Sequence, residues 1–145
     1  MKNIILLTHG EMSKGVAQSL RFIAGEIENL KTISINLDDS IEVSHQQLID
    51  AIELFDNTYP TVIVTDIPGG STTQIALKAL VKKEDIYLIT GLNLALVLQL
   101  SFLKLTDSRK ENLKLLQDVV EEAKASINVI TCDDSDNLLD EDGEL

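Results

Sequence analysis

Residues 4–7 are four consecutive large aliphatics, Ile4-Ile5-Leu6-Leu7, closed by Thr8-His9-Gly10. An unbroken apolar run of this length predicts a strand over residues 3–8 covered on both faces, the mark of a parallel sheet. Val16, Ala17, Leu20, Ile23 and Ala24 then recur at helical spacing, predicting a helix over 13–24 that stops at Gly25. Ile33, Ile35 and Leu37 alternate, predicting a strand over 32–37 with those three on one face. Ser40 is placed to cap a helix over 40–55 whose buried stripe is Leu48, Ile49, Ile52 and Phe55. The chain continues with a strand over 61–65, a helix over 72–81 and a strand over 86–90 stopped by Gly91. A very apolar segment over 92–105 and an amphipathic helix around Leu113, Leu116, Val120 and Ala123 come next. Residues 127–131 predict one last short strand. Strands separated by helices predict an α/β fold: a doubly wound, mostly parallel open sheet of four strands. The fifth strand is antiparallel or donated to a partner chain.

The 92–105 segment holds ten apolar residues in fourteen positions, too many for one stripe. A helix apolar all round needs cover on more than one side. Either a second helix of the same chain supplies it or a homodimer interface does, and the latter is the expectation here.

The chain has 145 residues, enough for one domain with a substantial core, and a net charge of −12. That charge argues against nucleic acid or an anionic membrane as partner. Seven acids and no base lie in residues 133–145, leaving −5 for residues 1–132. The expected organisation is one domain over 1–132 followed by a solvated acidic tail. A single cysteine permits no internal disulfide, which suits a reducing, cytoplasmic setting. Lys2 followed by Ile4 to Leu7 is too short to be a signal peptide and lacks a cleavage site. A chain that starts at Met1 and ends in such a tail is expected to be free-standing.

Two predicted strands end in chemistry. His9 and Gly10 close the first, and Asp66-Ile67-Pro68-Gly69-Gly70-Ser71 follows the strand at 61–65. Open α/β sheets hold ligands beyond the carboxyl ends of their strands, so both endings face one crevice. Taken singly, each has an ordinary reading: a surface histidine, and an aspartate in a Pro-Gly-Gly turn. Together they suit phosphoryl transfer through an imidazole. One ring nitrogen attacks phosphorus while the other is fixed by an acceptor, for which Asp66 is the natural group. The backbone amides of Gly69, Gly70 and Ser71, opening a helix, suit phosphoryl oxygens, and Gly10 permits close approach. No Walker lysine loop or dinucleotide glycine pattern is present, and His9, His45, Asp66 and Cys132 show no metal-ligand spacing. No cofactor is expected. His45, among Ser44, Gln46 and Gln47, is read as a solvated surface residue.

At these residues the chain resembles the IIA component of the mannose/fructose/sorbose branch of the bacterial phosphoenolpyruvate:sugar phosphotransferase system. Thr8-His9-Gly10 with the downstream Gly15-Val16-Ala17-Gln18-Ser19-Leu20, Asp66-Ile67-Pro68-Gly69-Gly70-Ser71, and Thr90-Gly91-Leu92-Asn93-Leu94 carry the resemblance, in order and in register over residues 1–130. It implies a phosphotransferase without metal or cofactor, in which His9 is phosphorylated by phospho-HPr and passes the group to a histidine of the IIB component. The membrane is involved only indirectly, through the permease components. It also implies a homodimer that exchanges the C-terminal strand. The chain departs from the pattern at Thr72, where a proline often follows Gly-Gly-Ser, at Gln74, at Ala95 and at Gln99. These departures bear on partner and sugar rather than on the phosphoacceptor. Two alternatives stand beside this reading. One is a IIA-like regulatory domain phosphorylated for control; the other is a receiver-like domain, which would want an acidic pair where Thr8 and His9 stand.

Overall fold

The computed structural model describes residues 1–81 and 83–134. Nine elements follow one another: β1 (Asn3–His9), α1 (Met12–Ala24), β2 (Leu30–Ile35), α2 (Ile41–Glu53), β3 (Thr61–Thr65), α3 (Ser71–Leu80), β4 (Ile86–Thr90), α4 (Leu94–Phe102) and α5 (Arg109–Ala125). The four strands form one sheet in the order β2-β1-β3-β4, and all pairs are parallel. Residues 3–8 of β1 are wholly buried, as its continuous aliphatic run demands.

Side chains alternate between two cores, one on each face of the sheet. Ile4, Leu6, Val62, Val64, Tyr87 and Ile89 meet Leu20 of α1, Val97 and Leu100 of α4, and Leu116 of α5. Ile5, Leu7, Ile33, Ile35, Ile63 and Ile86 meet Leu48 and Ile52 of α2 and Ile75 and Ala79 of α3. Capping fixes where the helices begin. Ser40 Oγ accepts from Val43 N–H, Asn93 Oδ1 from Leu96 N–H and Ser108 Oγ from Glu111 N–H. Lys2 Nζ donates to the carbonyls of Ser101 and Leu103, satisfying the C-terminal end of α4. Burial lowers the pKa of this ammonium.

Several expectations are corrected. β2 lies two residues earlier than the alternation suggested. Its register to β1 ends at the pair His9↔Ile35, and Asp39 Oδ2 then accepts Asn36 N–H in a turn. Leu37, expected on the buried face, is fully exposed. The apolar helix is shorter than 92–105; α1 and α5 of its own chain pack against part of it, while Phe102 is exposed and Leu94 and Leu98 are half-buried. Within the single chain residues 127–131 add no strand to the sheet, and Ile127, Val129 and Ile130 are exposed. His45 is half-buried, with Nδ1 shielded from solvent, because α2 turns that position partly inward. Of the expected acidic tail only Asp133 and Asp134 are described, both exposed; residues 135–145 lie outside the described residues. Among the described residues no helix is long and apolar enough to cross a membrane.

The position of β2 gives a stability contrast. Ile35→Ala should lower unfolding free energy by about 2–4 kcal/mol, while Leu37→Ala should change it by less than about 0.5 kcal/mol. Urea titrations followed by circular dichroism would read both. Equal losses would place the strand at 32–37 instead.

Candidate functional site

In the order β2-β1-β3-β4 the chain leaves β1 toward β2 and then returns past β1 to reach β3. The sheet's direction of winding therefore reverses between β1 and β3, where open α/β folds form their crevice. Leu7 pairs with Thr65, the last residue of β3, so His9 and Asp66 emerge side by side. His9 N–H donates to Asp66 Oδ2 at 2.8 Å, and His9 Nδ1 lies 2.7 Å from the same oxygen. Ser71 Oγ lies 2.9 Å from His9 Nε2. Since a carboxylate only accepts, Nδ1 carries the proton, and the Nε2 lone pair accepts from the serine hydroxyl. The imidazole is 44% exposed and the Asp66 side chain 10%.

The other oxygen of Asp66 is also occupied. Oδ1 accepts Ile67 N–H at 3.0 Å and the Thr72 hydroxyl at 2.8 Å. Burial pushes the Asp66 carboxyl up, but the hydrogen bonds from His9 backbone and ring, Thr72 and Ile67 N–H outweigh it and hold the pKa below the ordinary aspartate value. Thr73 Oγ1 donates to the Ile67 carbonyl at 2.8 Å and lies 2.9 Å from Thr65 Oγ1, tying the first turn of α3 to the end of β3.

Two glycines shape the turn into α3. Gly69 has φ +74°, a left-handed turn that a side chain disfavours. At Gly70, the N-cap of α3, an added Cβ would stand 3.3 Å from His9 Cε1 and 3.1 Å from Ile67 Cγ1. The expected residues His9, Gly10, Asp66, Gly69, Gly70 and Ser71 thus gather at one place. His9, Gly10 and Ser71 border an open crevice of about 560 Å³ with Ile35, Asn36, Leu37 and Asp39. Among the described residues no lysine or arginine lines it, so the groups there able to meet an anion are backbone N–H groups at the N-terminus of α3. Among the described residues no cluster of three His, Cys, Asp or Glu is placed to hold a metal.

Sequence reasoning missed three hydroxyls. It assigned Ser71 through its amide alone, read Thr72 only as a departure bearing on partner and sugar, and passed over Thr73. Their signal was present, since short hydroxyl residues opening a helix turn their side chains back onto neighbouring groups.

Fold and site together define an α/β protein with a buried carboxylate bound to a solvent-facing histidine at the sheet's switch point. The family model described as the PTS system fructose IIA component matches residues 3–117, and the chain belongs to this mannose-type EIIA family. It is therefore similar to phosphotransfer components of the sugar phosphotransferase system. The PTS system sorbose-specific EIIA component of Lacticaseibacillus casei is 23% identical over 125 residues, 86% of this chain and 90% of that protein. The mannose/sorbose specific IIA subunit from Enterococcus faecalis superposes with a TM-score of 0.77 at 24% identity, covering 90% of this chain and 96% of that one. The same fold recurs in a sigma-54 interaction domain protein from Enterococcus faecalis, with a TM-score of 0.66 at 13% identity and coverage of 83% and 91%.

The depressed pKa of Asp66 has a signed consequence for stability. A carboxylate held below its unfolded value stabilises the fold above that value and loses the contribution as pH falls through the folded pKa. The stability gap between wild type and Asp66→Asn should be widest at neutral pH and shrink once Asp66 is protonated. Urea midpoints at neutral and acidic pH would read it. A gap independent of pH would mean that the charge of Asp66 contributes nothing to folding.

Proposed function

We propose that the protein is a phosphocarrier of the sugar phosphotransferase system, with His9 as phosphoacceptor. The observation that carries this is the pair of partners on the imidazole: Asp66 on Nδ1, and only a displaceable serine hydroxyl on Nε2. In the forward step the Nε2 lone pair attacks the phosphorus of phospho-HPr. The new N–P bond forms as the donor's P–N bond breaks, and the donor imidazole leaves with the electron pair. His9 becomes cationic during transfer, and the Asp66 carboxylate, already hydrogen-bonded to Nδ1–H, stabilises that charge. Ser71 Oγ swings from Nε2 to a phosphoryl oxygen, joined by the first-turn amides of α3, which have no partner within their helix. Handing the group to a histidine of the IIB component reverses these movements on a different partner. Phosphoryl transfer rests mainly on positioning and charge stabilisation, which is what this arrangement offers.

The regulatory alternative shares every step up to phospho-His9 and differs only in what consumes the phosphoryl group. Transfer onward to a IIB component separates the two readings.

Single-turnover transfer from phospho-HPr tests the site. His9→Ala should abolish acceptance, and His45→Ala should leave the rate unchanged. Asp66→Asn should slow transfer by roughly one to three orders of magnitude, the usual loss for one preorganised electrostatic contribution. Label on His45, or a wild-type rate in Asp66→Asn, would remove this assignment.

The protein is also proposed to act as a homodimer that exchanges its C-terminal segment. In support, β4 ends the sheet with one side unpaired, and an open groove of about 510 Å³ runs along it beside Leu88, Leu113 and Val120. Exposed Ile127, Val129 and Ile130 follow directly after α5. A strand edge of this kind invites another strand. Light scattering should give a dimer for the full chain and for a chain ending at residue 132, and a monomer when residues 127–145 are removed. A monomeric full chain would contradict the proposal.

A further inference from the structure

We propose that Thr72 is a positioning residue for the phosphoacceptor, its hydroxyl locking the Asp66 carboxylate that in turn fixes the His9 ring. The inference rests on the phosphocarrier reading of His9 and adds a residue to it. A carboxylate offers about four acceptor directions, and four donors meet Asp66. His9 N–H and Nδ1–H reach Oδ2, while Ile67 N–H and the Thr72 hydroxyl reach Oδ1. Two of these donors belong to the main chain and the third is the ring being positioned. Thr72 is therefore the side chain that holds the carboxylate from outside the histidine.

Its placement suits the task. Thr72 is fully buried in the first turn of α3, where a hydroxyl without a partner would be costly. The residue before it, Ser71, meets Nε2, and the residue after it, Thr73, ties the helix to Ile67 and Thr65. Through Thr72 the partner of Nδ1 and the partner of Nε2 are joined within one helical turn. The terminal torsion of an aspartate is broad, so four fixed donors are what give this carboxylate one orientation. Without the hydroxyl, Oδ1 keeps only the Ile67 amide and the carboxylate gains freedom to rotate. The Nδ1–H bond then weakens, and the protonated nitrogen is no longer uniquely Nδ1. A proline, which often stands at this position in the resembling pattern, brings no hydroxyl, so this means of fixing Asp66 belongs to the threonine.

The test uses three full-length variants. Thr72→Ser keeps the hydroxyl. Thr72→Val keeps the shape and loses it. Thr72→Pro also loses it, at a helix turn that tolerates proline, and removes the Thr72 N–H as well, so the tautomer is its deciding readout. Two readouts are taken: nitrogen NMR of His9 in the unphosphorylated protein, which reports the tautomer, and single-turnover transfer with the apparent affinity for HPr. Thr72→Ser should hold the Nδ1–H form and transfer within about twofold of wild type, while Thr72→Val and Thr72→Pro should show both tautomers and roughly 5- to 50-fold slower transfer at unchanged HPr affinity, the scale of one hydrogen bond to a charged group. Wild-type tautomer and rate in Val and Pro would overturn the proposal. A defect in Ser as large as that in Val would also overturn it, by assigning the effect to packing. Should Val not fold, Ser and Pro decide. Absence of any phosphate acceptance by the wild type would defeat the phosphocarrier reading, and the tautomer measurement would still judge Thr72.

Discussion

The contact between His9 and Asp66 joins the last residue of one strand to the first residue beyond another, and the surrounding structure serves it. Leu7 and Thr65 are the last paired residues of β1 and β3. Beyond them, the His9 N–H finds the Asp66 carboxylate in place of a backbone carbonyl. The side chain of Asp66 thereby continues the ladder one step past the end of β3. It also captures Nδ1 with the same oxygen, so backbone and ring of His9 are held by a single atom. This works only if β1 and β3 are neighbours and β1 runs just past the end of β3. The reversal of winding in the sheet and the buried aliphatics of both strands secure that arrangement.

A carboxylate this close to Nε2 would repel an incoming phosphoryl dianion under the proposed function, and among the described residues no lysine or arginine lines the crevice to offset it. The compensation is local. Four donors spread the charge of Asp66 into its own surroundings, away from Nε2. α3 opens at Gly70 and Ser71, which stand against the imidazole, so its N-terminus lies beside the ring. Gly70 keeps the ring and the start of α3 within contact distance, since a Cβ there would press on both His9 and Ile67.

The strands that build the site were legible because their burial leaves an unmistakable pattern. Ile4 to Leu7 and Thr61 to Thr65 are enclosed on both faces, and such runs have few other uses. His9, Asp66 and the glycine-serine turn could be joined because they end those two runs. β2 was harder to place. Its alternation extends to Leu37, but register to β1 and the Asn36–Asp39 turn end the strand at Ile35, and neither constraint is visible locally. The apolar α4 invited a partner chain; α1 and α5 cover part of it, a tertiary fact that the helix's own residues do not carry, and Phe102 stays exposed. The hydroxyls of Thr72 and Thr73 went unread for a related reason. A threonine opening a helix has several possible acceptors, and only the assembled turn shows that Asp66 and Ile67 are the ones taken.

Under the proposed function Asp66 reserves Nδ1 of His9 and leaves Nε2 to react. Phosphorylating nitrogen-labelled protein with phospho-HPr and reading the His9 ring by phosphorus–nitrogen coupling tests this directly. Phosphate should stand on Nε2 with the proton retained on Nδ1. Phosphate on Nδ1, or on any residue other than His9, would contradict it.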